Sequence, residues 1–309
     1  MFSYLPRMRK ITALREDPTL DLEQLLASWQ ITLRAEHKSR HTVRNYGVAL
    51  RSYLSSGRTT LDKASVQEWL SAIPESGTAN TYARNLKRFS SWLAEEGETS
   101  TDLLAGLKPP TPKEKMVSKM PEEDIKAMLK ASSGRSFRDI RDSALIAFGY
   151  STGIRASEVL NMRLEHIDMT RQLAVVLNGK GGRTRVVPFS DAAARYMDRY
   201  MRARRRHPLH DSPWLWLGGE LNKLSPHLSY NGLQATLKRR AELAGVVGFH
   251  FHRLRHSMAS NWLAAGGSEG GLMAVAGWKN RTMIDRYAAD TASVRAVDEA
   301  RKLGLGNLF

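Results

Sequence analysis

The sequence predicts a mainly α protein with one small β-sheet, divided into two domains. Three observations lead there. Apolar residues recur at helical spacing along most of the 309 residues, as amphipathic helices require. Two short valine-rich runs, 173–177 and 184–188, flank the glycine-rich turn Asn178-Gly-Lys-Gly-Gly182 and read as a hairpin. Pro109, Pro110 and Pro112 stand together among lysines, which blocks helix and marks 106–120 as an extended interdomain linker. Two domains also suit the length, at roughly 100–200 residues each.

The first domain, 19–105, reads as four helices. Leu22, Leu25, Leu26, Trp29 and Leu33 line one face of the first. After a break at His37 and Lys38, Ser39 is a natural N-cap. The second helix turns Val43, Tyr46, Leu50 and Tyr53 inward. A short helix at 65–72 ends before Pro74. A fourth, over 78–95, buries Tyr82, Leu86, Phe89 and Leu93, and Gly97 ends it. Arg40, Arg44 and Arg51 on the second helix and Arg84, Lys87 and Arg88 on the fourth face outward. They suit a solvated surface or contacts to phosphate equally well. Residues 1–18, with Arg7, Arg9, Lys10 and Arg15, form a basic arm or a disordered terminus.

The second domain, 121–309, is α+β. Helices are expected at 121–130, with Pro121 in the first turn, and at 137–151, 191–206, 230–244, 252–265, 270–276, 281–288 and 293–303. The run Arg202-Ala-Arg-Arg-Arg206 closes one of them. Cations there suit the helix dipole as well as they suit DNA.

Charge narrows the function. Lys plus Arg is 47 and Asp plus Glu is 31, a formal net charge of +16. Residues 1–110 carry only +3 of it and residues 111–309 carry +13. Such a field calls for a polyanion, nucleic acid before membrane. There is no cysteine, so disulfides, thiol catalysis and Cys-ligated metal are excluded, and a reducing cytoplasm fits. No apolar run is long enough for a signal peptide or a membrane span.

Within the basic half, polar residues fall where a core is expected. Arg155 and Glu158 stand one helical turn apart, so a helix starting there puts both on one face. His252 and Arg255 repeat that spacing, and His256 follows. Lys180 sits at the hairpin tip, and Tyr287 closes a short helix after Trp278. Each alone has an ordinary structural explanation. Together they are a complete set for phosphoryl transfer. Attack on a phosphodiester builds charge on its nonbridging oxygens, which needs preorganised positive charge. The sequence shows no carboxylate cluster for a pair of metal ions. Two arginines can do that work through forked hydrogen bonds. A tyrosine of pKa about 10 needs a base or a positive field to become a nucleophile. A histidine and a lysine can move the protons.

Thr152-Gly-Ile-Arg155-Ala-Ser-Glu158, Gly179-Lys180-Gly-Gly, His252-Arg-Leu-Arg255-His256, Gly277-Trp278 and Tyr287 resemble the tyrosine recombinases, the phage integrase family, in order and spacing. Trp278 and Tyr287 lie 23 and 32 residues after Arg255. The pattern Ser39-x-x-Thr42-x-x-x-Tyr46-x-x-x-Leu50 resembles the family's core-binding domain. The resemblance implies a helical SAM-like core-binding domain plus an α+β catalytic domain, in the minimal two-domain form without an arm-binding domain. It implies that Tyr287 attacks the scissile phosphate to form a 3′-phosphotyrosyl link. Arg155 and Arg255 would hold the nonbridging oxygens, Lys180 would protonate the leaving 5′-oxygen, and His252 would assist proton transfer. Trp278 stands where most members have histidine, and an indole can only donate and pack. Glu158 would brace Arg155 or a histidine, and His256 would support helix packing or Glu158.

The resemblance further implies no metal, nucleotide or other cofactor. Its partners are duplex DNA core-type sites, clamped by the two domains, and a homo-tetramer acting through a Holliday junction, with accessory directionality or bending factors left open. The apolar tail, 289–309, carries Val294, Val297, Leu303, Leu305, Leu308 and Phe309 and is expected to dock onto a neighbouring subunit. Phage or mobile-element integration and excision is the expected task, in a bacterial cytoplasm at the nucleoid. The alternatives are a chromosome or plasmid dimer resolvase, a DNA-relaxing enzyme of the same chemistry, and a non-catalytic DNA-binding relative.

Overall fold

A computed structural model describes residues 20–113, 119–177, 184–218, 226–288 and 292–304, without the side chains of 286–288, 292–295 and 298–299. The chain forms two compact units, Met1–Lys115 and Met116–Phe309.

In the first unit, α1 (Leu22–Ala35), α2 (Arg40–Leu54), α3 (Lys63–Ser71) and α4 (Ser76–Glu95) surround one core. Polar caps set three of the starts. Asp21 accepts from the backbone of Glu23 and Gln24, Ser39 from Thr42 at 3.1 Å, and Asp62 from Ser65 at 2.9 Å. The Asp62 cap starts α3 two residues before the position expected from the apolar pattern. α1 ends on His37, left-handed at φ 55°, where the Lys38 N–H donates to the Leu33 carbonyl. Trp29 lies at the centre, stacked on Tyr46 at 5.0 Å and packed against Phe89 at 5.1 Å. The predicted inward faces hold, with Leu25, Tyr46 and Tyr82 half-buried at the margin.

The segment expected as a linker is described at 106–113 and at 119–120. Its first part is fastened to the first unit. Leu107 is buried there, Lys87 Nζ donates to the Leu107 carbonyl at 2.8 Å, and Asn80 donates to the Pro110 carbonyl at 2.8 Å. The prolines lack N–H groups but keep their carbonyls, and α4 supplies the donors. Met120 is fully buried in the second unit, its N–H donating to Ser257 Oγ at 2.9 Å.

The second unit contains α5 (Glu122–Ala131), α6 (Phe137–Thr152), α7 (Ala156–Leu160), a 3-10 turn (Leu164–His166), strands β1 (Ile167–Asp168), β2 (Leu173–Val176) and β3 (Arg185–Pro188), then α8 (Asp191–Arg205), α9 (Tyr230–Leu243), α10 (His252–Ala264), α11 (Glu269–Ala276), α12 (Thr282–Ala288) and α13 (Ala292–Leu303). α6 is the central helix, packed against α8 and α10, with Ala144, Leu145, Ile146 and Phe148 fully buried. A capping box between Ser136 and Asp139 starts it, and Gly153, left-handed at φ 60°, ends it. The sheet is antiparallel in the order β1-β2-β3, with Ala174 opposite Val187 and Val175 opposite Val186. Ala174, Val176 and Val187 face the core, while Val186 is exposed. The expected hairpin therefore has a third strand, β1, which at two residues is too short to show a period of two.

A satellite core of Met258, Leu263, Leu272, Ala276, Trp278 and Ile284 joins α10, α11 and α12. In the arginine run that closes α8, Arg204 is buried and donates to the carbonyls of His210, Ser212, Trp214 and Leu215. Arg202 pairs with Asp198 at 3.0 Å. Arg204 orders the loop after the helix. Among the described residues no helix is long and apolar enough to cross a membrane.

Candidate active site

The site is built on the starts of two helices and the end of a third. Arg155 is the N-cap of α7, and its own N–H donates to Glu158 Oε2 at 2.9 Å. Its guanidinium donates to Glu158 Oε1 at 2.9 Å and reaches the Gly277 carbonyl at 3.4 Å. The side chain stays 37% exposed, so it can also meet a ligand. Arg255, on the first turn of α10, is 1% exposed. One arm donates to the Gly153 carbonyl at 2.8 Å and the other to the Ala276 carbonyl at 2.7 Å. Its guanidinium carbon lies 5.2 Å from the centre of a Trp278 ring, in cation–π range. His252 lies at the rim, one turn before Arg255, with its ring edge-to-face with His256 at 4.5 Å.

A third guanidinium completes the cluster. Arg185, from β3, forks onto Glu158, Nη1 to Oε1 at 3.0 Å and Nη2 to Oε2 at 2.8 Å, and donates through Nε to the Val275 carbonyl at 2.8 Å. Val275, Ala276 and Gly277, the consecutive carbonyls ending α11, thus receive Arg185, Arg255 and Arg155 respectively. The carbonyls that end a helix lack partners within it and carry the negative end of its dipole. Gly277 makes this possible. It is left-handed at φ 66°, and a Cβ there would lie 3.0 Å from the Arg185 guanidinium.

Burial by itself would raise the Glu158 pKa. The hydrogen bonds from Arg185 and from the Arg155 backbone, with the charges of both guanidiniums, outweigh it and hold the pKa down at about 2. Because the folded value is depressed, this stability is present above the ordinary carboxylate range and is lost as pH falls from about 5 toward about 2. Glu158→Gln is therefore expected to lack about 3 kcal/mol of the parent's acid-induced loss of stability in that window, measured by urea unfolding at stepped pH. An unchanged acid slope would contradict the pairing. For His252 the direction is also downward. Partial burial comes first, then the charges of Arg255, His250 and Arg155, and the pKa falls to about 4. The ring is neutral at pH 7 and keeps an acceptor nitrogen.

The sequence model of the phage integrase family matches residues 118–293. The chain belongs to that family, the tyrosine recombinases. The tyrosine recombinase XerD of Mycobacterium leprae is 31% identical over 238 residues, covering 73% of this chain and 70% of that protein. Among solved structures, a lambda integrase tetramer bound to a Holliday junction aligns with TM-score 0.67 at 15% identity, covering 88% of this chain and 78% of that one. The Tn1549 transposon integrase in complex with a circular intermediate DNA aligns with TM-score 0.67 at 16% identity, covering 91% and 98%. These two likenesses concern the fold. The chain is a site-specific tyrosine recombinase.

Arg155, Glu158 and Arg255 of this recombinase meet at the end of α11 beside Trp278, and His252 and His256 stand on the same helix as Arg255. Lys180 lies outside the described residues. Tyr287 falls in α12, which Ile284 anchors in the satellite core, and its side chain lies outside the description. Among the described residues, no group of three or more His, Asp or Glu could hold a metal ion. In the first unit, Arg40, Arg44, Arg51 and Arg84 are exposed as expected. Lys87 is half-buried with its ammonium on the Leu107 carbonyl, and Arg88 pairs with Glu95 at 3.2 Å, so both have structural work. Sequence reasoning missed Arg185. Its one available signal was a charged residue opening an apolar strand beside the basic turn.

Proposed function

We propose that this recombinase cuts and rejoins duplex DNA by transesterification at Tyr287, within a site where Arg155 and Arg255 hold the nonbridging oxygens of the scissile phosphate. The observation that carries this reading is the gathering of guanidiniums on the three carbonyls ending α11, beside a neutral His252. The phenolic oxygen bonds to phosphorus, the bond to the 5′-oxygen breaks, and a 3′-phosphotyrosyl link results. His252 accepts or relays the phenolic proton, and Lys180 protonates the leaving 5′-oxygen. Trp278 packs under Arg255 and keeps its fork in place. Because the link conserves the energy of the broken bond, a 5′-hydroxyl of another strand can reseal it.

The exposed arginines of α2 and α4 supply phosphate contacts that set the register on the duplex. Tetramer assembly is part of the same proposal. Val297 and Leu303 of α13 are exposed, which supports docking of this tail on a neighbouring subunit. Integration or excision of a phage or mobile element is the proposed task.

Two labelled duplexes of different length, each bearing the core site selected by the protein from element and host DNA, are expected to exchange strands in EDTA without nucleotide. Hybrid products would support the reading. Covalent cleavage without exchange would restrict the enzyme to DNA relaxation. Dependence on a divalent ion would overturn the proposed chemistry.

A further inference from the structure

Arg185 is the one arginine of the cluster that the proposed reaction does not use. Its side chain is only 8% exposed, against 37% for Arg155, so it is turned inward. It occupies both oxygens of Glu158 and the carbonyl of Val275. Glu158 also holds Arg155 through both its guanidinium and its backbone N–H. The carboxylate thus sits between one buried cation and one that faces outward.

We infer that Arg185 is a positioning residue for DNA cleavage: by answering the charge of Glu158 and fixing the end of α11, it leaves the charge of Arg155 available to the scissile phosphate. Two guanidiniums share one carboxylate, so one unit of positive charge remains uncompensated on the outward side. Without Arg185, Glu158 would be answered by Arg155 alone. The carboxylate 2.9 Å away would then cancel the charge meant for the phosphate. The same side chain also sets geometry. With Arg185 on Val275, Arg255 on Ala276 and Arg155 on Gly277, one helix end spaces all three groups. Arg185 therefore acts on phosphate stabilisation through Arg155, without touching the DNA.

This inference rests on the proposed reading of Arg155 and Arg255 as phosphate ligands. Its test uses the full chain and a nicked core-site duplex that traps the covalent adduct. Two quantities are read separately, the DNA dissociation constant and the first-order adduct rate at saturating protein. Arg185→Met is expected to lower the rate about 100-fold while the dissociation constant moves less than about threefold, because the arginines of the first unit still hold the backbone. Arg185→Lys, which keeps the charge, is expected to recover about tenfold of that loss. The decisive variant combines Arg185→Met with Glu158→Gln. It removes one charge of each sign and is expected to cleave at least about tenfold faster than Arg185→Met alone. A purely structural Arg185 predicts the opposite, since the double variant has lost both partners of the pair. If Arg185→Met does not fold in thermal unfolding, the lysine and double variants carry the comparison against the parent. An Arg185→Met rate within twofold of the parent, or a double variant no faster than Arg185→Met, overturns the inference. Failure of the underlying reading looks different: Arg155→Lys and Arg255→Lys would then each cleave within about tenfold of the parent.

Discussion

Tyr287→Phe is expected to fold as the parent does and to lose at least about 10⁴-fold in adduct formation, the largest effect of any single substitution here. The argument starts from what the substitution leaves alone. α12 is held by Ile284, buried against the satellite core of Ala276 and Trp278, and an aromatic ring remains at position 287. Only one oxygen is lost. The chain has no cysteine. Among the described groups of the cluster, the guanidiniums are donors only, Glu158 has its two oxygens committed to Arg155 and Arg185, and His252 serves the proposed reaction as the proton carrier. A factor of 10⁴ corresponds to about 5.5 kcal/mol of activation free energy. Adduct on a denaturing gel is the measurement, with thermal unfolding and DNA binding as controls. Persistent cleavage by the phenylalanine variant would move the nucleophile elsewhere.

The second large effect is expected for Arg255→Lys, about 10³-fold in the rate of cleavage at saturating DNA. The guanidinium spends one arm on Gly153 and the other on Ala276, at 2.8 and 2.7 Å, and stacks on Trp278. A planar fork can do this and still offer a donor edge to phosphate. A lysine ammonium is a point charge and cannot span two carbonyls and a ligand together. Removing a single preorganised donor from a charge-stabilising site typically costs about 10²–10³, and here geometry and stacking are lost as well. The effect should fall on the rate within the complex, with DNA affinity nearly unchanged. A loss below tenfold would mean that Arg255 serves the fold alone.

Much of this was legible in the sequence for identifiable reasons. Arg155 and Glu158, and His252 and Arg255, stand one turn apart at helix starts, where spacing translates directly into a shared face. The four-helix core of the first unit follows from apolar periodicity and the start of α2 from Ser39, whereas the caps Asp21 and Asp62 emerge only in the structure. Arg185 was not legible, because its partner Glu158 lies 27 residues earlier and its second contact, Val275, 90 residues later. A lone arginine on a strand carries no periodic signal. β1 was missed because two residues cannot alternate, and the attachment of 106–113 because its donors belong to α4. Lys87 was read as a surface cation, although its half-burial decides otherwise.

The most direct test maps the covalent bond itself. The adduct trapped on a nicked core site is treated with nuclease and trypsin, and the peptides are sequenced by mass spectrometry. The peptide spanning 287–295 should carry a nucleotide esterified through its 3′-phosphate to the Tyr287 oxygen, in protein prepared and reacted in EDTA. A nucleotide on any other residue, or attachment through a 5′-phosphate, would contradict the account.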